Sequence, residues 1–409
     1  MLFLLLPSSQ TLMVTFYRRC NITWLSIKIK REFGSNRVPD FVMKIIYDYQ
    51  IFSIQKYGGI SKYFCELIKN LPTEHECKLS LLLSDNQYVK EGYQYFKKRT
   101  VTWPDKKFKG KGFLNKKLYK INRLYSKHII SSNNYDLLHP TYYDTYFLHG
   151  LKKPYIFTVH DLIEFKFKEL YRTNSLMPQM EKVIKSANRI ISISENTKED
   201  LINIFNINPE KIDVIYHGFN KPLCNGEPNP FGRYILFVGK RGGYKNFITF
   251  ASAVSVLLKK ESDLKLICVG YPFSKEEIDD LRNLKILEKT ISLGVNENKL
   301  NNLYYNAQVF VYPTLYEGFG MPILEAFANN CPVCLSNTSS LPEVAGNAGV
   351  YFDPNDRESI LNAVEKVIYD SDYKKKIIDA GRIRLNNFSW KYCAEQTVNS
   401  YKKTLSYSK

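Results

Sequence analysis

From Lys44 onward the chain alternates short apolar, β-rich runs with stretches whose apolar residues recur at helical spacing. That alternation marks parallel α/β units, in which strands buried on both faces are joined by covering helices. Lys44–Tyr47 reads as the first strand, and Tyr57-Gly58-Gly59 turns into a helix carrying Ile60, Phe64, Leu67 and Ile68. Further strands are expected over Leu79–Leu83, Tyr155–Val159, Arg189–Ile193 and Asp213–Tyr216, with Ser194-Glu195-Asn196-Thr197 capping a helix over Lys198–Phe205. Residues Lys221 to Gly232, rich in Pro, Gly and Asn, interrupt the rhythm and read as a linker. The pattern then restarts with strands over Tyr234–Val238, Leu264–Val269, Val309–Tyr312, Val333–Ser336 and Val350–Phe352, and a helix over Asn246–Leu258. Ser389–Leu405 is helical in pattern, and its apolar side, with Trp390, Ala394 and Val398, requires a surface to dock on.

The expected organisation is a leader over 1–42, a first domain over 43–220, a second over 221–387, and a terminal helix over 388–409 that packs back toward the first domain. A chain of 409 residues exceeds what one core usually supports, and 44% hydrophobic with 14% aromatic residues is enough to build two. In open parallel sheets, ligands sit beyond the carboxyl ends of the strands, so a crevice between two such domains is the expected site. The leader lies outside this pattern. Its apolar stretch Met1–Leu6 is too short to span a bilayer, and Arg18 and Arg19 follow rather than precede it. It reads as a disordered or membrane-contacting extension, or as the product of an upstream start.

Charge and cysteine usage narrow the classes of function. A formal charge of +18 suits nucleic acid, phosphorylated small molecules or an anionic membrane. Twelve Lys/Arg residues and one acid, Asp105, lie between Lys97 and Lys127, interleaved with Trp103, Phe108, Phe113, Tyr119 and Tyr125. That tract reads as a solvated face, or as contact with an anionic membrane surface or a phosphate-bearing acceptor. No nucleic-acid module accompanies it, so no nucleic-acid partner is expected. The eight cysteines are scattered through a long chain, which argues against a disulfide scaffold. Cys331-Pro-Val-Cys334 has redox or zinc spacing, but no second pair accompanies it and it runs into an apolar strand, so buried thiols are expected.

Three segments carry candidate chemistry. In Tyr316-Glu317-Gly318-Phe319-Gly320-Met321-Pro322-Ile323-Leu324-Glu325, a strand ends, two glycines open a loop, and Pro322 starts a helix. The loop and helix start leave amides of Gly318, Phe319, Gly320 and Met321 free for phosphate oxygens, while the two carboxylates can grip different hydroxyl-bearing parts of an elongated ligand. In Gly239-Lys240-Arg241-Gly242-Gly243-Tyr244-Lys245, cations flank flexible glycines, and Arg241 with Lys245 could neutralise a diphosphate; Lys240 could stand in for Arg241. Thr158-Val159-His160-Asp161 ends a strand, leaving His160 either in a structural network or facing a ligand. Gly58 and Gly59 supply a turn that could approach a phosphate or an acceptor.

Together these segments resemble the retaining GT-B glycosyltransferases of family 4, also called glycosyl transferases group 1, over nearly everything from Met43 to the tail. Glu317 and Glu325 match that family's Glu-seven-residues-Glu motif, Arg241 and Lys245 its basic diphosphate ligands, His160 its donor-sugar histidine, and Gly58-Gly59 its first-domain glycine loop. Ser339-Ser340-Leu341-Pro342-Glu343-Val344-Ala345-Gly346 fits a family segment near the donor site, and Asn329-Asn330 is a mild departure at a turn. The resemblance implies two Rossmann-like domains facing a cleft, with a C-terminal crossover helix. It implies hexosyl transfer with retained configuration from a GDP- or UDP-sugar to a glycan or lipid-linked glycan acceptor. His160, Arg241, Lys245 and Glu317 would serve the reaction, and no metal or other cofactor is required. The expected setting is surface polysaccharide or lipopolysaccharide assembly in the cytoplasm, peripheral to the membrane's cytoplasmic face. The alternatives are a nucleotide-sugar epimerase or phosphorylase of the same fold, or a non-catalytic sugar-nucleotide-binding protein.

Overall fold

The computed structural model describes residues 12–15, 24–27, 42–92, 101–102, 111–171, 175–221 and 228–406. The chain divides into two units, 1–42 and 43–409. In the first unit Leu12–Thr15 pairs antiparallel with Trp24–Ile27. Most of the leader, the basic tract at 97–100 and 103–110, and the linker at 222–227 lie outside the described residues.

Among the described residues the second unit carries a main parallel sheet in each of two domains, and Leu83–Ser84 pairs in parallel with Val101–Thr102 beside the first. In the first domain Lys44–Tyr47 sits between Glu76–Leu79 and Leu137–His139, and Arg189–Ser192 sits between Ile156–Val159 and Ile212–Val214. The Leu138–Tyr155 bridge joins these two triplets. The second domain has one six-stranded sheet in the order Thr290–Leu293, Lys265–Val269, Tyr234–Val238, Val309–Tyr312, Val333–Ser336, Gly349–Phe352. Its order in the chain is 3-2-1-4-5-6, so the direction of winding reverses between Tyr234–Val238 and Val309–Tyr312. Two loops leave the carboxyl ends of those neighbours at this switch point. They are the loops that hold Lys245 and Glu317.

The structure departs from the expected elements in a few places. The second strand is Glu76–Leu79 rather than Leu79–Leu83, because pairing with Lys44–Tyr47 sets its register; Leu81 and Leu82 follow outside any strand, and Leu83 begins the short strand Leu83–Ser84. Ile212–Val214 replaces Asp213–Tyr216, which frees Tyr216 and His217 to leave the sheet. Leu137–His139 and Thr290–Leu293 are strands that periodicity did not reveal. Cys331 and Cys334 are buried and unbridged, and burial pushes the Cys331 thiol up to about 12.

The terminal helix Trp390–Ser406 belongs to the first domain's core. Trp390, Cys393, Ala394, Val398 and Tyr401 join the apolar cluster that includes Tyr47, Phe64 and Leu137. Its polar side is also satisfied there. The Tyr401 hydroxyl shares hydrogen bonds with Tyr47 (2.6 Å) and His139 Nδ1 (2.8 Å), while Ser400 donates to Asp213 at 2.6 Å. The helix can begin so close to the chain that leaves the first domain because residue 218 is glycine. A Cβ there would lie 2.2 Å from the Trp390 amide nitrogen.

Backbone cannot retreat as a flexible side chain can, so Gly218→Ala is expected to cost about 1–3 kcal/mol by overpacking. The urea-unfolding midpoint measures this. A midpoint equal to that of the parent would contradict the described seat of the helix.

Candidate active site

The Glu317 loop is built by its backbone partners. Val309–Tyr312 is buried along its length, and Gly320 takes a left-handed φ of 106° before helix Met321–Ala328, with Pro322 in the first turn. Leu315 N donates to the Tyr244 carbonyl at 2.7 Å, tying this loop to the Lys245 loop. Ser339 Oγ accepts from Glu317 N at 3.1 Å, and the Ser340 hydroxyl reaches the carbonyls of Glu317 (2.9 Å) and Phe319 (3.0 Å). The serine pair therefore splints the loop, a role that explains its place beside the Glu motif.

The same loop meets the first domain. A Cβ on Gly318 would lie 1.8 Å from the His160 carbonyl oxygen and 2.9 Å from Asp161 Cβ. The room left by this glycine is thus filled by the other domain rather than by open space for a ligand. The Ser194 hydroxyl donates to the Gly318 carbonyl at 2.7 Å while accepting from Thr197 N as the helix cap. The Tyr316 hydroxyl donates to Asp200 at 2.6 Å, and Asp200 also pairs with Lys166. Glu343 crosses the cleft and accepts from the Glu195 amide at 2.6 Å.

Among the site residues expected from sequence, Lys245 and Glu317 come together as a direct ion pair. Lys245 Nζ also lies 5.1 Å from the Tyr244 ring centroid and 5.5 Å from that of Tyr312. Arg241 is held elsewhere. Its guanidinium grips Glu277 through Nε (2.8 Å) and Nη2 (3.1 Å), donates to the carbonyls of Tyr271 and Pro272, and lies 4.6 Å from the Phe273 ring. Burial alone would raise the Glu277 pKa, but Arg241 and the Ser274 amide hold it below its ordinary value. Arg241 Nη1 is buried with no hydrogen-bond partner, and Lys240 is exposed.

Glu325 lies apart from the Lys245–Glu317 pair, on a cavity of about 250 Å³. Burial raises its pKa, against the opposing effects of the Tyr304 hydroxyl at 3.0 Å and the Lys62 charge. Gly59 opens the helix Gly59–Asn70 with free space where a side chain would stand, whereas the Gln55 side chain fills that space at Gly58. Gln55 Oε1 accepts from Ser61 N at 3.1 Å.

His160 stands in a ring cluster with Tyr63 (5.0 Å) and His217 (5.7 Å). His217 stacks on Phe319 at 5.0 Å and 22°. Nε2 of both histidines is buried without a hydrogen-bond partner. Burial, with the nearby histidines, drives His160 far below its ordinary pKa, and burial alone brings His217 down to about 3. Both are therefore neutral at physiological pH. Sequence reasoning passed over His217, although Tyr216-His217-Gly218 follows a strand just as His160-Asp161 does. It also passed over Lys62 and Asp200 and read Ser194 only as the helix cap that it is, because the partners that tie these residues to the other domain lie far away along the chain.

Asp161 is the carboxylate most disturbed by this crowding. Burial pushes it up to about 6; Glu317 and Glu164 add to the rise, while the Ile163 amide, at 3.1 Å, and Lys245 oppose it. The folded chain then binds more protons than the unfolded chain between roughly pH 4 and pH 6, so this group's contribution to stability falls as pH rises through that window. Asp161→Asn removes the effect. Its melting temperature is expected to exceed the parent's above about pH 6.5 and to match it near about pH 4. Thermal melts at the two pH values test this, and a pH-independent difference rejects it.

Comparisons with known proteins identify the family and the fold. Residues 57–221 match the family model described as Glycosyltransferase Family 4, and residues 227–384 match the one described as Glycosyl transferases group 1. The chain is 27% identical over 386 residues to the O-antigen chain mannosyltransferase B of Escherichia coli, covering 84% of this chain and 96% of that protein. It is 29% identical over 216 residues to the O-antigen chain mannosyltransferase RfbU of Salmonella typhimurium, covering 51% and 60%. Among solved structures, Anabaena Alr3699/HepE in complex with UDP and glucose superposes with a TM-score of 0.66 at 16% identity, covering 88% of this chain and 99% of that one. Two parallel-sheet domains, a motif loop on the winding reversal of the second, and a family match on each domain lead to one conclusion: the chain is a GT-B glycosyltransferase of family 4, the glycosyl transferases group 1.

Proposed function

We propose that this glycosyltransferase moves a mannosyl group, with retained configuration, from a nucleoside diphosphate sugar to a hydroxyl of a glycan or lipid-linked glycan acceptor in surface polysaccharide assembly. The sugar and the pathway follow the names of the two mannosyltransferase relatives. The observation that carries the chemistry is the Lys245–Glu317 ion pair, formed where the second domain's two central loops meet His160 and Asp161. A diphosphate entering the crevice competes for Lys245. Its arrival releases the Glu317 carboxylate to accept hydrogen bonds from the sugar's hydroxyls.

The unpartnered Nη1 of Arg241 and the amides at Gly320 and Met321 add positive potential toward the leaving group. With that charge in place the transfer proceeds without a metal ion. The acceptor oxygen attacks the anomeric carbon from the face that the diphosphate leaves. Its bond to that carbon forms as the carbon–phosphate-oxygen bond breaks, and the departing phosphate oxygen takes the hydroxyl proton. His160 stays neutral and orients the sugar, and Glu325 accepts from the ribose hydroxyls.

The helix Lys111–Ser131 supports a peripheral position on an anionic membrane. It contains no Asp or Glu, exposes Lys116, Lys117, Lys120 and Lys127, and leaves Leu124 70% exposed. No helix among the described residues is long and apolar enough to cross a membrane.

Lys245→Ala and Glu317→Ala are each expected to lower kcat by about 10²-fold or more, the scale of losing one charge-stabilising group at a reacting centre. Acceptor-dependent release of the nucleoside diphosphate measures it, and unchanged turnover in either variant discards that residue's role. Sedimentation with vesicles is expected to recover the chain on anionic but not neutral lipid, and Lys116→Glu with Lys120→Glu to abolish that recovery. Recovery that ignores lipid charge counts against the membrane position.

A further inference from the structure

An open cavity of about 940 Å³ on the first domain gathers cations that the transfer step does not use. It lies between the short helix Thr145–Phe147, with the loop that follows it, and the end of the helix Met177–Ser186. Tyr155, in its wall, precedes the strand Ile156–Val159, and His160 follows that strand at its other end. At about 3.3 Å per residue the two stand roughly 17 Å apart, which separates this cavity from the transfer cleft.

The lining holds no Asp or Glu but carries Lys152, Lys153, Lys182 and His149. None of the three lysines has an ion-pair partner among the described residues. Glu181, on the same helix as Lys182, is taken by Lys185 at 2.6 Å. Elsewhere the cations that face this chain's cavities and cleft rest on carboxylates, Lys245 on Glu317, Arg241 on Glu277 and Lys62 on Glu297. Here like charges repel one another with no acid between them, and a bound anion removes that cost. The frame around them is built. Gly150 turns with a left-handed φ of 80°, Pro154 restrains the chain just after the lysines, and the Tyr155 hydroxyl donates to the Val183 carbonyl at 2.6 Å. Asn188 Oδ1 accepts from Tyr155 N at 3.0 Å, which leaves its Nδ2 as an unspent donor on the lining.

We infer that this cavity is a second anion site, and that it takes a phosphate ester with a hydroxyl-bearing body. Ammonium groups only donate, and the terminal oxygens of a phosphate accept from several of them at once. The volume stands near the top of the roughly 300–1,000 Å³ in which small organic ligands bind, far more than a bare phosphate fills. The Thr145 hydroxyl and the Asn188 amide supply the neutral polar groups that a sugar or glycerol body requires. Such an ester is either free in solution or the headgroup of a lipid. The second source has a structural link, because Tyr146 in the cavity wall shares a 2.6 Å hydrogen bond with Ser126 of the helix Lys111–Ser131, proposed above to lie on an anionic membrane.

The test is calorimetric titration of the full chain with glucose 6-phosphate and with inorganic phosphate. It is repeated on a Lys152→Ala, Lys153→Ala variant, on Lys182→Ala, and on a Lys259→Ala, Lys260→Ala control that removes two charges from an exposed stretch of the second domain. Glucose 6-phosphate is expected to bind at least about tenfold more tightly than inorganic phosphate, because its hydroxyls find partners that the bare ion leaves idle. The double cavity variant is expected to weaken it about tenfold or more, and the control to leave it within about twofold. Lys182 is exposed, so Lys182→Ala carries the same comparison should the double variant melt early. Sedimentation with phosphatidylcholine vesicles, with and without phosphatidylglycerol, then names the source. Recovery on phosphatidylglycerol that falls in the cavity variants beyond the control, and that glucose 6-phosphate reverses in the parent, assigns a lipid headgroup; recovery equal to the control's assigns a free ester. Glucose 6-phosphate that does not bind, binds no better than inorganic phosphate, or weakens equally in the control overturns the inference.

Discussion

One backbone contact organises the candidate site of this enzyme: Gly318 of the second domain lies against the His160 carbonyl of the first, too close for any side chain to intervene. The residues around it take their directions from that contact. Tyr316 reaches Asp200, the Gly318 carbonyl takes the Ser194 hydroxyl, and Phe319 stacks on His217, so three of four consecutive residues are spent on holding the domains together. Glu317 is the exception. Its backbone is splinted by Ser339 and Ser340, and its side chain is left to Lys245. A motif that reads as a ligand grip is thus equally a domain joint, and the joint aims the grip.

The second theme is charge held in reserve. Lys245 rests on Glu317, Arg241 on Glu277, and Lys62 on Glu297. Ion pairs in partly buried sites gain little over their desolvation cost, so they can be exchanged when a better-matched anion arrives. An arrangement of this kind keeps a strongly basic chain from leaving bare cations in its cleft.

Much of this was legible in the sequence, for identifiable reasons. Tyr234–Val238, Val309–Tyr312 and Val333–Ser336 are buried on both faces, so their apolar runs coincide with the strands. Thr290–Leu293 is an edge strand with a half-exposed face, and Leu137–His139 is only three residues long and ends in histidine; neither produces a run that stands out. Glu76–Leu79 carries Glu76 and Lys78, so the apolar leucines after it were the louder signal. The motif residues of the site were visible because spacing and glycine content mark a strand–loop–helix junction. Arg241 was visible as a cation, but its engagement with Glu277 was not, because that partner lies 36 residues away on the helix Lys275–Asn283. His217, Ser194 and Lys62 share that obstacle, since their roles exist only once distant segments meet.

The terminal helix has a consequence for the order in which the molecule can be made. Its Trp390 and Tyr401 complete an apolar core whose other members were synthesised hundreds of residues earlier. A ribosome extending the chain from its amino end exposes the first domain long before that helix exists, while domains commonly fold as they emerge. The second domain has all its strands in hand sooner after its own start. The domain made first is therefore the one finished last, and until that helix emerges its side beneath Tyr47 and His139 stands open to whatever in the cell shields nascent apolar surface.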